Sequence, residues 1–157
     1  MNFPEAVRHV LDIEGGYVFN KKDPGGETNL GISKRSYPGL DIKNLTVDLA
    51  TEIYLRDFWL PIKADLLPFK VRYCLFDCAV NQGVGRAVKI LQAALNVKVD
   101  GVLGVKTLSA ANAMNESDLL QAIVLARFKH YASLDTWNEF GKGWMKRLLI
   151  VTLLSGR

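Results

Sequence analysis

The chain has 157 residues, of which 49% are hydrophobic, and its formal net charge at pH 7 is +4. A chain of this size suits one compact domain or two small lobes packed together. It buries about 70% of its unfolded-chain surface, so it needs no stabilising cross-links. The positive charge favours acidic partners in general, namely nucleic acid, anionic lipid or an anionic cell wall. The Lys and Arg residues are spread along the chain, so charge does not choose among these partners. No basic patch or reading helix stands out, so no nucleic-acid partner is expected.

The cysteines and histidines argue against a metal or disulfide framework. Cys74 and Cys78 are four residues apart and would share one apolar helix face, so we interpret them as buried thiols. His9 and His130 are isolated, and we expect neither a metal site nor a cofactor. No signal peptide and no apolar run of membrane-span length is visible, so the sequence predicts a protein made in a reducing cytoplasm without stable membrane insertion.

The first segment, "NFPEAVRHVLDIEGG", predicts an amphipathic helix. Asn2 and Glu5 can form a capping box at its start, and Gly15 and Gly16 offer a left-handed stop. At about 100° per residue, Glu14 falls on the apolar stripe, at the last turn. That stripe also contains Phe3, Val7, Val10 and Leu11.

The position of Glu14 has a chemical consequence. Partial burial and the negative end of the helix dipole would both raise its pKa above the usual value of about 4.3. A raised pKa would make Glu14 a usable general acid near neutral pH. The alternative is a glutamate that turns to solvent or caps the glycine turn.

The following stretch, "YVFNKKDPGGETNLGIS", lacks the helical periodicity of the first segment. Residues 17–20 and 27–32 flank the turn material Asp23-Pro24-Gly25-Gly26, which predicts a small hairpin or an irregular loop with strand character.

Helical periods then return for the rest of the chain. We predict a helix capped by Thr46 and continuing to Trp59, one from 68 to 83, one over 85–96, a tight turn with a short helix over 99–114, one capped by Ser117 or Asp118, and a final helix over 144–154. This final stretch has Lys146 and Arg147 near its start. We interpret it as a core helix, with a surface-active helix as the alternative. The fold class is therefore mainly α with one small β element near the front.

Three polar residues lie within fifteen positions at the junction of helix and hairpin: Glu14, Asp23 and Thr28. Glycosidic cleavage needs a raised-pKa acid facing a second, ionised carboxylate, and a hydroxyl can position the water. Spacing alone leaves ordinary alternatives open, because Asp-Pro-Gly-Gly is common turn chemistry and threonine is common in strands.

The run "EGGYVFNKKDPGGETNLGIS" resembles the signature of glycoside hydrolase family 108, the muramidases found as phage endolysins and related bacterial proteins. The resemblance implies a lysozyme-like helical globule with a short β-hairpin beside the cleft. It implies Glu14 as general acid and cleavage of the β-1,4 bond between N-acetylmuramic acid and N-acetylglucosamine, without cofactor or metal. Four residues separate Asp23 from Thr28, where the similar smaller phage lysozymes typically have five, so the roles of these two residues carry over less directly.

The remainder, "VDGVLGVKTL" through "FGKGWMKRL", resembles the predicted peptidoglycan-binding region that family members carry at the C-terminus. This predicts a catalytic lobe over 1–92 and a helical peptidoglycan-binding-like lobe over 93–157 packed onto it. Asp100, Gly101, Gly104 and Thr107 would form either a peptidoglycan contact or only a turn and helix start.

Sugar contacts are expected from aromatic faces and amides. Tyr17, Tyr54, Asn81 and Gln82 are the candidates, with Trp59 beside them; helix packing is the alternative for Tyr54 and Trp59, and capping for the two amides.

The function hypothesis is a monomeric peptidoglycan hydrolase of the endolysin type. It would be made in the host cytoplasm without a signal peptide, act on the cell wall after release, and have peptidoglycan glycan strands as its partner. A lytic transglycosylase and a non-catalytic peptidoglycan-binding protein are the alternatives.

Overall fold

The structure is a computed structural model that describes residues 1–19 and 26–156. The helices in these ranges are α1 (Phe3–Glu14), α2 (Val47–Tyr54), α3 (Phe69–Gln82), α4 (Val84–Ala94), α5 (Val105–Ala113), α6 (Glu116–Ala132) and α7 (Trp137–Ser155). The strands are β1 (Val18–Phe19), β2 (Glu27–Asn29) and β3 (Ile32–Ser33). The predicted fold class, mainly α with a small β element near the front, is confirmed.

Helix α1 begins and ends as the sequence predicts. The Asn2 side chain accepts a hydrogen bond from the Glu5 amide at 3.0 Å, and the Glu5 carboxylate accepts one from the Asn2 amide at 3.1 Å, which completes the capping box. Gly15 ends the helix with a φ of +76°. The buried face of α1 consists of Ala6, Val7 and Val10, and Glu14 is its last residue.

The β element is a three-stranded antiparallel sheet in the order β1-β2-β3. Thr28 pairs with Val18 on one side and Ser33 on the other. Leu30 and Gly31 connect β2 to β3, and both have positive φ angles, 51° and 77°, as the tight primed hairpin turns require. The two predicted strand segments pair as β1 and β2, and most of the turn predicted between them lies outside the described residues. The predicted run 27–32 is divided by the Leu30–Gly31 turn into β2 and the start of β3.

Helix α2 begins as predicted, with the Thr46 hydroxyl accepting a hydrogen bond from the Leu49 amide at 3.2 Å. The sequence predicts one regular helix up to Trp59, but the chain widens into a π-helical turn over Leu55–Trp59. Trp59 is fully buried there, and its ring N–H donates to the Asp65 carboxylate at 3.1 Å. A 3₁₀ turn (Ala64–Leu66) then leads into α3.

Helix α3 is the centre of the molecule, and it spans the predicted residues. It is buried on nearly all sides because α1, α4, α6 and α7 all pack against it. Phe76 makes edge-to-face contacts with Phe3, Tyr54 and Trp59 at 5.4–6.2 Å between ring centres. A helix buried on several sides lacks a polar face, and this accounts for the long apolar run around its two cysteines.

Two helix starts differ from the prediction. Asn115 caps α6 by accepting hydrogen bonds from the Ser117 and Asp118 amides at 2.9 and 3.3 Å, so neither of those two residues is the cap. Helix α7 begins at Trp137 rather than at residue 144. Its early turns contain Gly141, which we expected to lie outside the helix; a Cβ at Gly141 would lie 2.8 Å from the Trp137 ring, so the glycine makes room for that ring.

The predicted lobe boundary at 92/93 falls within α4, and the division into two lobes stays a prediction. None of the helices in the described ranges is both long enough and apolar enough to cross a membrane.

Candidate active site

Glu14 lies at the end of α1, immediately before the glycine turn, and its side chain is 22% exposed. Its carboxylate oxygen Oε1 accepts a hydrogen bond from Nη1 of Arg147 at 2.7 Å. Arg147 comes from the middle of α7. The Glu14 carboxylate is thus held against a cation, and the glycine turn is closed by the backbone bond from Gly15 to Leu11 instead.

Arg147 belongs to a chain of charged groups that continues into the core. Its Nε donates to Oδ1 of Asp77 at 2.8 Å, and Oδ2 of Asp77 accepts from Nη2 of Arg127 at 2.8 Å. Asp77 and Arg127 are completely buried. Two carboxylates and two guanidinium groups alternate in this network, so each buried charge has an opposite charge as its neighbour, which is the condition for burying it at all.

The surroundings keep both arginines charged. Burial acts to lower the pKa of Arg147, but Asp77 and Glu14 more than offset this, and its pKa is raised above the ordinary value. Arg127 also donates to the Cys74 carbonyl and to the Tyr131 hydroxyl, both at 3.2 Å.

The turn between β2 and β3 forms a second wall against Glu14. A Cβ at Gly31 would lie 2.8 Å from Cγ of Glu14, so the turn packs directly on the glutamate side chain. Tyr54 holds this turn in place, because its hydroxyl donates a hydrogen bond to the Leu30 carbonyl at 2.9 Å. Burial, and then the nearby Glu14 carboxylate, raise the pKa of Tyr54, so its hydroxyl stays a neutral donor.

The predicted catalytic residues are only partly described. Thr28 lies in β2, half-buried, two residues before the turn that contacts Glu14. Asp23 lies outside the described residues, and its role stays a prediction.

The predicted aromatic sugar contacts separate into two groups. Tyr17 is 42% exposed, and its hydroxyl donates to the Glu27 carboxylate at 3.1 Å, so its ring is open to a ligand. Tyr54 is 1% exposed and Trp59 is fully buried, so neither ring has a face free for a sugar. The structure favours the packing alternative for these two residues.

The two predicted amide contacts end α3, one turn beyond Asp77. Asn81 is exposed and accepts a hydrogen bond from the Tyr131 hydroxyl at 2.7 Å. Gln82 accepts from the Cys78 thiol at 2.9 Å. Their contact with N-acetyl groups stays a prediction, but Asn81 is tied through Tyr131 to the same arginine that holds Asp77.

The Asp100 turn is held together by a residue that the sequence analysis passed over. Gln92 is buried, donates to the Asp100 carboxylate at 2.8 Å and accepts from the Gly101 amide at 2.8 Å. Thr107 is also buried, and its hydroxyl accepts a hydrogen bond from the side-chain nitrogen of Gln92 at 3.4 Å. These contacts favour the turn-and-helix-start alternative over a direct peptidoglycan contact.

Sequence reasoning also missed Asp77, Arg127 and Arg147 as site residues. Asp77 was visible as a lone charge in the apolar run "CLFDCAV", the same kind of signal that singled out Glu14. For metals, no group of three or more His, Cys, Asp or Glu side chains that could hold an ion occurs in residues 1–19 and 26–156.

Comparison with known proteins adds an independent line of evidence. Residues 7–83 match the family described as Glycosyl hydrolase 108, and residues 86–149 match the one described as Predicted Peptidoglycan domain. The solved structure described as "Structure of Brucella abortus SagA" is 38% identical in sequence, with a TM-score of 0.89 over 98% of this chain and 92% of that one. No curated protein sequence matches the chain.

The fold and these matches define a glycoside hydrolase with peptidoglycan as its substrate, on a mainly α, lysozyme-like fold. The chain belongs to glycoside hydrolase family 108. The non-catalytic binding protein considered from the sequence is thereby set aside.

Proposed function

We propose that the protein is an N-acetylmuramidase that hydrolyses the β-1,4 bond between N-acetylmuramic acid and N-acetylglucosamine, with Glu14 as general acid. The observation that carries this proposal is the placement of Glu14. Its carboxylate is partly exposed at a helix end, and it is fixed between Arg147 and the β2–β3 turn. A carboxyl group held in one position beside solvent is what proton donation to a glycosidic oxygen needs.

The second half of the reaction requires stabilisation of the oxocarbenium-like sugar and a directed water. We assign these tasks to Asp23 and Thr28, on the strength of the family resemblance and their place in the chain. Thr28 lies on the strand that leads into the turn against Glu14, which supports its assignment. Asp23 lies by sequence in the connection between β1 and β2.

The decisive experiment compares Glu14→Gln with Glu52→Gln in clearance of purified peptidoglycan. Glutamine is nearly isosteric but cannot donate the proton, so the rate should fall at least 10²- to 10⁴-fold, roughly the contribution of acid catalysis. Glu52 is exposed on α2, and the same change there should leave the rate intact. A folded Glu14→Gln protein within tenfold of wild type would contradict the assignment.

Asp23→Asn tests the second carboxylate. We expect a smaller loss than for Glu14→Gln, because Asp23 is assigned to charge stabilisation or water orientation and not to proton donation. An Asp23→Asn protein that is as inactive as Glu14→Gln, with an unchanged melting temperature, would make the two carboxylates equal partners.

Mass spectrometry of the soluble products identifies the bond and the reaction. A muramidase releases ordinary reducing ends at muramic acid. A lytic transglycosylase lets the 6-hydroxyl of muramic acid close on the anomeric carbon, which gives a 1,6-anhydro product lighter by one water. Predominantly anhydro products would replace the hydrolase mechanism, and reducing ends at N-acetylglucosamine would change the bond.

The family resemblance also supports an endolysin role, in which the enzyme is made in the host cytoplasm and acts on the wall after release through a membrane opening. Expression with and without a pore-forming partner tests it. Lysis only in the presence of the pore is the expected result, and equal lysis without it would contradict this route.

A further inference from the structure

The hydrogen bond between Glu14 and Arg147 joins the two segments that match different families. Glu14 lies within 7–83 and Arg147 within 86–149, with a separation of 133 positions along the chain. We propose that Arg147 is a positioning residue for Glu14, so that the predicted peptidoglycan domain completes the active site in addition to any contact it makes with the wall. This inference rests on the assignment of Glu14 as the general acid.

The first argument is that Arg147 is itself fixed. Its Nε is bonded to Asp77, and Asp77 is held on its other oxygen by Arg127, both at 2.8 Å. A guanidinium is planar and presents its N–H groups at fixed angles, so a bond through Nε also fixes the direction of Nη1. Nη1 is the atom that donates to Glu14. The buried pair Asp77–Arg127 therefore sets the place of the Glu14 carboxylate from inside the core.

The second argument is that nothing else described does the same task. Among residues 1–19 and 26–156, Arg147 is the side chain that hydrogen bonds to the Glu14 carboxylate. Gly31 limits the glutamate sterically at Cγ, and the nearby Tyr54 hydroxyl is already bonded to the Leu30 carbonyl. Steric contact confines the stem of the side chain, while the ionic contact determines where its oxygens point.

The third argument concerns charge during the reaction. As Glu14 gives its proton to the leaving oxygen, negative charge develops on its carboxylate, and a guanidinium at 2.7 Å stabilises that charge. Among residues 1–19 and 26–156, the charged or titratable groups that face Glu14 are Arg147 from α7 and Tyr54 from α2. One bond further lies Asp77 from α3, which is paired in turn with Arg127 from α6.

The test uses the full chain and initial rates on solubilised glycan strands. Arg147→Met should lower kcat by roughly 10- to 100-fold, the scale of a misplaced catalytic group, with a smaller change in KM. Arg147→Lys keeps the charge without the fixed geometry, so it should recover only part of kcat. Lys146→Met is the matched control, because it removes the same charge from an exposed neighbour on α7.

Loss of Arg147 also leaves Asp77 with one partner, so folding needs its own control. The double variant Asp77→Asn/Arg147→Met removes one charge of each sign, and circular dichroism with thermal melting reports whether it folds. A folded double variant with reduced kcat and a nearly unchanged KM supports the inference. Wild-type kcat in folded Arg147→Met, or in the folded double variant, would overturn it while leaving the Glu14 assignment intact. Retained activity in Glu14→Gln would overturn both.

Discussion

The two matched segments present their functional residues in opposite ways. In residues 7–83 the candidate functional residues lie close together in sequence, with Glu14 at a helix end, Thr28 in β2 and Gly31 in the β2–β3 turn. In 86–149 the comparable residues are Arg127 and Arg147, each alone in an ordinary helical stretch. A motif therefore marks the position of Glu14, the proposed acid, while Arg147, which contacts its carboxylate, comes from a region without any such motif.

The difference has a physical basis. A helix end beside a tight turn needs particular residue types over a short distance, and this produces a recognisable string. A buried arginine needs only one position on a helix face and an acidic partner across the interface. Its importance depends on a contact between distant parts of the chain, and no local pattern records such a contact.

The largest loss of stability is expected from Asp77→Ala, which removes the carboxylate that both Arg127 and Arg147 contact. Arg127 would lose its carboxylate partner in the interior and Arg147 would lose one of its two, and breaking a buried pair costs about 3–5 kcal/mol of unfolding free energy. Urea unfolding measures it. Asp12→Ala, on the exposed side of α1, should change the free energy by less than about 0.5 kcal/mol. A loss below about 1 kcal/mol for Asp77→Ala would show that the network does not hold the two segments together.

Gly31→Ala tests how the β2–β3 turn, which belongs to the sequence motif, constrains Glu14. Its φ of +77° disfavours any residue with a Cβ by about 1–2 kcal/mol, and the added carbon would meet the Tyr54 hydroxyl and Cγ of Glu14. We expect both a lower melting temperature and slower peptidoglycan clearance, because the turn, the tyrosine or the glutamate must shift. Gly39→Ala is the control, since a Cβ there would meet open space. Full activity in Gly31→Ala would mean that the turn does not constrain Glu14.

Tyr54→Phe should have a moderate effect. It removes the hydrogen bond to the Leu30 carbonyl without changing the packing of the ring, which corresponds to about 1 kcal/mol. Tyr17→Phe, at an exposed tyrosine, should stay within about 0.5 kcal/mol of wild type in the same unfolding assay. Equal effects of the two substitutions would contradict the supporting role given to Tyr54.

The smallest expected effect concerns the thiols of Cys74 and Cys78 on α3, the helix against which α6 and α7 pack. Burial raises the pKa of Cys78 from its usual value of 9.0 to about 12, and burial also raises that of Cys74. A raised pKa means fewer thiolates at any given pH, so alkylation by iodoacetamide at pH 8 should be very slow in the folded protein. Both cysteines should react readily in denaturant. Rapid labelling without denaturant would show that α6 and α7 open away from α3.

Much of the fold was predictable from sequence because its signals are local. The capping box of α1, the Thr46 cap, the hairpin and the limits of α3 each depend on residues within a few positions of one another. The start of α7 was not predictable in this way. Gly141 disfavours a helix by intrinsic propensity, but the Trp137 ring occupies the space that it leaves.

The candidate site was predictable to a lesser degree. Glu14 was singled out because helical periodicity placed a carboxyl group on an apolar stripe, and its role as general acid, implied by the family resemblance, stays a prediction. Tyr54 was a candidate sugar contact with helix packing as the alternative, and its 1% exposure favours packing. An aromatic residue near a cleft looks the same in sequence whether its face is open or buried. Arg147 was missed because its partner is on a different helix, and only the folded chain brings the two together.

The long separation between Glu14 and Arg147 also has a consequence for the order of events during synthesis. Helix α1 leaves the ribosome before α7, but its glutamate acquires the ion pair only after α7 has emerged and docked on α3. Contacts between distant parts of a chain carry the cost of loop closure and form late. A nascent chain therefore exposes the complete sequence motif long before it has a complete site, and we expect hydrolytic competence to arise in one late step, when the last long helix is in place.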